Sequence, residues 1–157
     1  MSFELTKESK ARIDELLTRY PTKRAAALPV LHVVQEQHGF VPEEAEQIVA
    51  DIIEVPVVKV REVLSFYTMY HRKEMGKLHF QMCRTTSCWL RGAKGMIEHL
   101  ENRLGIKDGQ TSEDMKYSIT EVECLGACEL APMMQLNDDY IPNLTTEKLD
   151  EIITQAN

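Results

Sequence analysis

The four cysteines of this chain stand in two tight pairs, Cys83-Arg-Thr-Thr-Ser-Cys88 and Cys124-Leu-Gly-Ala-Cys128. Thirty-five residues separate the pairs. A thiolate is both a nucleophile and a soft metal ligand, so two close pairs point to a metal or cluster site assembled from two loops. Gly126 lies between the second pair, where a loop takes positive φ or passes close to a bound group at little cost.

Spacing separates four readings of these thiols. A structural zinc ion takes four ligands in a tetrahedron, mostly from C-x2-C knuckles; C-x4-C and C-x3-C do not favour it but leave it open. A thioredoxin-type dithiol needs C-x-x-C at a helix start, which is absent. Structural disulfides suit exported chains. A [2Fe–2S] cluster needs two terminal thiolates on each iron, which two pairs supply. Wider spacings also leave backbone room to wrap the sulfides. With four thiolates such a cluster carries two net negative charges, and three after one-electron reduction. Arg84 and Arg91 stand beside the cysteines as candidates to offset that charge, or as plain surface residues.

The elements that must position these loops follow from periodicity. The pattern predicts a strand over Lys77–Cys83, with Leu78, Phe80 and Met82 on one face. It predicts one helix from Cys88 to Leu104, with Leu90, Ala93, Ile97, Leu100 and Leu104 as its apolar stripe and Gly105 as its stop. Cys88 then sits at a helix start, where the dipole favours thiolate. Gly92 and Gly95 weaken that helix by about 1 kcal/mol each. Further strands are expected at Lys116–Val122, Met133–Leu136 and Tyr140–Ile141. A last helix is capped by Thr145, with Leu149, Ile152 and Ile153 inward.

The first half reads as four helices. Ile13, Leu16, Leu17 and Tyr20 form one stripe over residues 6–20. Leu28, Leu31 and Val34 face inward from Leu28 to His38, with Gly39 as the stop. Ala45, Ile48, Val49 and Ile52 follow Pro42, and Val57, Val60, Leu64 and Tyr67 keep helical spacing through Val57–Tyr70. The fold class is therefore α+β: an N-terminal four-helix unit, residues 1–75, before a β-α-β-β-α domain of reduced thioredoxin-like layout, residues 76–157. His32 and His38 are single histidines that read as packing residues rather than ligands. Phe66–Tyr70 is an aromatic-rich stretch that reads as a core and hinge cluster before it reads as a contact surface.

Composition excludes several classes. With 43% hydrophobic and 27% charged residues the chain is that of an ordinary globular protein. Its net charge of −7 argues against nucleic-acid binding. No stretch approaches the ~20 apolar residues of a membrane span. The N-terminal sequence has neither a secretory apolar core nor an Arg-rich transit pattern, so a cytoplasmic location is expected.

Cys83-Arg-Thr-Thr-Ser-Cys88-Trp-Leu-Arg-Gly92, with Glu123-Cys124-Leu-Gly-Ala-Cys128-Glu-Leu-Ala-Pro132, resembles the thioredoxin-like [2Fe–2S] subunits of respiratory NADH:quinone oxidoreductase, complex I. Leu28-Pro-Val-Leu-His32, Gln37-His-Gly-Phe-Val-Pro42 and Val63-Leu-Ser-Phe-Tyr67 resemble that family's helical part. Ser87 departs from the pattern, since many members carry proline before the second cysteine; this bears on loop stiffness.

The resemblance implies that Cys83, Cys88, Cys124 and Cys128 ligate one [2Fe–2S] cluster in a thioredoxin-like ferredoxin domain. It implies an electron carrier docked on a flavoprotein subunit that binds FMN and NADH, among other peripheral-arm subunits, on the cytoplasmic face of the inner membrane. The chain has no G-x-G-x-x-G opening a helix after a strand, so NADH oxidation would belong to the complex. Related modules occur in NAD-dependent hydrogenases and formate dehydrogenases. A zinc-stabilised interaction module is the reading from another class. Thioredoxin-like folds also put Ala131–Pro132 forward as a cis bond, against a base rate of about 5–6% for X–Pro.

Overall fold

The computed structural model describes residues 3–155. The chain divides into two compact units, Met1–Glu74 and Met75–Asn157.

The first unit is helical: α1 (Lys7–Thr18), a short 3-10 turn at Lys23–Ala26, α2 (Ala27–His38), α3 (Glu43–Ile53) and α4 (Val57–Phe66). Thr6 caps α1 by accepting the Ser9 amide at 3.1 Å. Gly39 ends α2 at φ 87°, with its N–H on the Gln35 carbonyl at 2.7 Å. The core gathers Ile13, Val30, Leu31, Val34, Val49, Ile53, Val60 and Leu64. Each such side chain contributes about 1.5–3 kcal/mol on burial.

Two expectations change here. The α1 stripe is shorter than its periodicity suggests, because the helix ends at Thr18 and Tyr20 lies outside it, exposed. Helix α4 stops at Phe66 rather than Tyr70, with Tyr67 extended at φ −91°, ψ 103°. Tertiary bonds hold the turn that follows: Tyr70 Oη donates to the Leu28 carbonyl at 2.9 Å, and Gln35 receives the His71 amide at 2.7 Å. Tyr70 is thereby core, while Phe66 is 77% exposed. His32 and His38 pack against aromatic rings, His32 on Tyr70 and His38 on Phe3 and Phe40.

The second unit is a four-stranded mixed sheet with helices, and together the two units make the chain α+β. Its elements are β1 (Leu78–Cys83), α5 (Thr86–Leu90), α6 (Ala93–Leu104), β2 (Tyr117–Val122), β3 (Met134–Leu136), β4 (Asp139–Ile141) and α7 (Thr146–Gln155). The sheet order is β2-β1-β3-β4. Strand β1 runs parallel to β2, with Cys83 opposite Val122, and antiparallel to β3, with Met82 opposite Met134. Phe80, Met82, Leu100, Ile119, Met134 and Leu149 are fully buried together. β1 lies between β2 and β3, and His79 is buried as well, its Nε2 2.8 Å from the Thr120 hydroxyl. Thr145 Oγ1 receives the Lys148 amide at 3.2 Å, so α7 carries its expected cap.

The single helix expected from Cys88 to Leu104 is two helices. Gly92 adopts φ 95°, which breaks the run between α5 and α6. Leu90 consequently leaves the apolar stripe and is 71% exposed. Apolar spacing continues across the break, so periodicity cannot register it. Ala131–Pro132 is cis.

Candidate functional site

Three segments deliver the cysteines to one end of the sheet. Strand β1 ends on Cys83, α5 carries Cys88 as its third residue, and the segment beyond β2 carries Cys124 and Cys128. Cys83, Cys88, Ala93, Ala127, Ala131 and Met133 form a small buried cluster of their own, with Leu125 against it, apart from the main core of the unit. None of the four thiols is in a disulfide.

The pairs differ in setting. Cys83 and Cys88 are buried, whereas Cys124 and Cys128 are exposed. Cys124 Sγ and Cys128 Sγ lie 3.5 Å apart, well beyond the ~2.05 Å of a disulfide. That is close to the ~3.8 Å edge of a thiolate tetrahedron built on ~2.3 Å metal–sulfur bonds. Among the described residues, no group of three or more His, Cys, Asp or Glu side chains is gathered to hold a single ion. The thiols are grouped two by two.

Polar groups surround the sulfurs. The Gly126 amide donates to Cys124 Sγ at 3.4 Å, from a residue at φ 80° that suits glycine. The Thr85 hydroxyl lies 3.4 Å from Cys83 Sγ. The Leu125 and Met133 backbones favour the thiolate forms of Cys83 and Cys88, and the Thr85 and Ser87 hydroxyls of the first loop favour those of Cys124 and Cys128 in the second. Ser87 thus supplies a hydroxyl where proline would offer none.

These contacts set the thiol acidities. Burial pushes Cys83 up, but Thr85, Cys88 and the Leu125 amide outweigh it and its pKa falls below the ordinary value. Burial, together with the bond to Cys83, pushes Cys88 up to about 11. The thiolate-favouring helix start expected for Cys88 is therefore overruled: α5 is five residues long, and desolvation disfavours the charged form. Cys124 is lowered, first by the Gly126 amide and then by Cys128, while Cys128 is raised by its bond to Cys124. In each pair one thiol is lowered and its partner raised.

The donor set suits a [2Fe–2S] cluster. Four free thiols stand in two pairs, the Gly126 amide donates to sulfur, and Gly126 leaves no Cβ on the loop.

The two arginines are engaged differently. Arg84 pairs with Glu123 at 2.6 Å in solvent. Arg91 Nε donates to the Ala131 carbonyl at 2.6 Å, bridging the two cysteine segments. Sequence reasoning missed Thr85, Ser87 and this bridge. The hydroxyl-rich Thr-Thr-Ser run between two cysteines was the available signal for the first two.

The geometry has counterparts among known proteins. A chain similar to this one is an NADH-quinone oxidoreductase subunit of Rickettsia bellii (strain RML369-C), 43% identical over 155 residues, which cover 97% of this chain and 93% of that one. An NADH-quinone oxidoreductase subunit of Rhizobium meliloti (strain 1021) is 41% identical over 144 residues, 92% of this chain and 86% of that one. Among solved structures, the NAD+-reducing [NiFe]-hydrogenase in the air-oxidized state has a similar fold, at TM-score 0.72 and 18% identity over 83% of this chain. This chain spans 22% of that hydrogenase chain. A family model described as thioredoxin-like [2Fe-2S] ferredoxin matches residues 13–157. Since that match begins within α1 and takes in every element after it, the chain belongs to the thioredoxin-like [2Fe-2S] ferredoxin family.

Proposed function

We propose that the chain is the electron-transfer subunit of an NADH-quinone oxidoreductase, with Cys83, Cys88, Cys124 and Cys128 as the ligands of one [2Fe–2S] cluster. The observation that carries this reading is the meeting of two free thiol pairs, with the Gly126 amide on the Cys124 sulfur, at one end of the β1–β2 pair. Relatives that are subunits of such an oxidoreductase, similar over nearly their full length, support the choice of complex.

When bound, the cluster supplies a centre that takes up and returns one electron. The chain supplies the rest. Each thiol pair serves one iron. The Gly126, Leu125 and Met133 amides stabilise negative charge on sulfur. Burial of Cys83 and Cys88 excludes water from one side, while the exposed Cys124 and Cys128 leave the other side open to a redox partner.

That partner is an adjoining flavoprotein subunit, which binds FMN and NADH and exchanges electrons one at a time with this subunit. NADH oxidation is then an activity of the complex. No helix among the described residues is long and apolar enough to cross a membrane. On this reading the chain is a peripheral subunit on the cytoplasmic face, beside other peripheral-arm subunits. The helical part, 1–75, and the ferredoxin part, 76–157, act as two domains of which the second holds all four ligands.

A second reading puts the same kind of subunit into a soluble NAD-dependent hydrogenase or formate dehydrogenase. The hydrogenase likeness favours it at the level of fold alone. Affinity purification of the tagged chain from its own cells separates the readings. Co-purification of a quinone-reducing membrane assembly with a flavoprotein supports the first, and a soluble hydrogenase or formate dehydrogenase supports the second. Zinc in place of iron and sulfide contradicts both.

A further inference from the structure

Arg91 joins the two cysteine segments at matching places. It lies three residues beyond Cys88, at the end of α5, and its Nε donates to the carbonyl of Ala131, three residues beyond Cys128, at 2.6 Å. From Ala131 the chain continues through Pro132 to Met133. The Met133 carbonyl receives the Cys83 amide at 3.4 Å, and Ala131 and Met133 are buried in one cluster with Cys83 and Cys88. The arginine therefore anchors, from across the site, the stretch that contacts the first thiol pair. Arg84, also beside a cysteine, is different: its charge is offset by Glu123 in solvent. Among the described residues Arg91 forms no ion pair, so its charge is not offset in that way.

We propose that Arg91 is a positioning residue that raises the reduction potential of the cluster, by holding the Ala131–Met133 stretch against Cys83 and Cys88. Reduction adds one electron, and hence one negative charge, to a group already anionic. Hydrogen bonds to sulfur and nearby net charge are the levers by which a protein favours that form. The guanidinium serves twice, as a planar donor to a carbonyl and as a fixed positive charge. The proposal rests on the [2Fe–2S] reading above.

The test is an EPR-monitored redox titration of the full chain, purified anaerobically with its cluster, alongside iron and sulfide content. Parent, Arg91→Met and Arg91→Lys are compared. Arg91→Met lowers the equilibrium constant for reduction about tenfold, which is about 59 mV for a one-electron couple, with iron content as in the parent. Arg91→Lys keeps a donor and a charge and recovers more than half of that shift. An unchanged potential in Arg91→Met at full cluster content overturns the proposal. If Arg91→Met does not hold the cluster, Arg91→Gln replaces it with the same expectation and the same overturning result. Loss of the cluster in all three variants also overturns it, because Arg91 would then act in assembly. A parent chain that holds zinc instead of iron and sulfide defeats the reading beneath the proposal, a failure distinct from that of Arg91 itself.

Discussion

Gly76→Ala tests how closely the start of β1 is fitted to β2. A Cβ at residue 76 would lie 2.5 Å from the Tyr117 carbonyl carbon, 2.6 Å from its amide nitrogen and 2.8 Å from its Cα. All three are backbone, and Tyr117 is locked in the parallel ladder opposite Leu78. No side chain can swing aside, so one strand must move by roughly an ångström. Overpacking of this kind costs about 1–3 kcal/mol. The same movement strains the buried bond from the Gly76 amide to Ser118 Oγ, now 2.7 Å, worth about 1 kcal/mol. The expected loss is about 2–4 kcal/mol, or about 10–30 °C in the melting temperature of a domain of this size. Gly95→Ala is the control. Gly95 lies within α6, nothing comes within 4 Å of its Cβ position, and its φ is not positive, so alanine should stabilise by about 0.5–1 kcal/mol. Thermal and denaturant unfolding of the full chain, followed by hydrogen exchange on β1 and β2, reads both variants. A Gly76→Ala variant as stable as the parent, or a Gly95→Ala variant that loses stability, would refute the reasoning.

Cys124→Ser should cut iron retention on anaerobic purification to under half, while Met134→Leu, a near-isosteric change in β3, retains it; equal iron in the two counts against the ligand assignment. Burial raises the Tyr70 hydroxyl from its ordinary value to about 12. A folded-state pKa above the unfolded one means stability complete below pH ~10 and lost as pH rises toward 12. Denaturant titrations of the helical unit should show that loss in the parent and a flatter profile in Tyr70→Phe, and parallel profiles would contradict it. Tyr70→Phe should also cost about 0.5–1.5 kcal/mol at neutral pH through its lost bond to the Leu28 carbonyl. Thr145→Ala removes the α7 cap and should cost about 1 kcal/mol in unfolding free energy, with a change under a few tenths speaking against the cap.

Features written in local chemistry were legible from the sequence. Period-two alternation put Cys83 at a strand end, Gly39 and Gly105 stopped their helices, and Thr145 capped the last one. The two-by-two grouping of the thiols follows from their spacing. What sequence reasoning missed depends on groups distant in the chain. Gly92 breaks a helix whose apolar spacing runs on unbroken, because the backbone turns there at φ 95° to set Leu90 outward and Ala93 inward. Helix α4 ends at Phe66 because Tyr70 and His71 are held by Leu28 and Gln35, about forty residues earlier. The acidity of Cys88 was misjudged because a local argument, the helix start, met a non-local one, burial among Ala93, Ala127 and Met133. Arg91 could be singled out by its place beside Cys88, but only the fold shows that it ends on the Ala131 carbonyl.

The central claim is that this chain holds one [2Fe–2S] cluster on Cys83, Cys88, Cys124 and Cys128. EPR of the anaerobically purified, dithionite-reduced full chain tests it most directly, with iron, sulfide and zinc counted on the same sample. The account predicts about one unpaired spin per chain, matched by two irons and two sulfides, and silent before reduction. A chain that carries zinc, gives no signal on reduction and keeps its fold would contradict it.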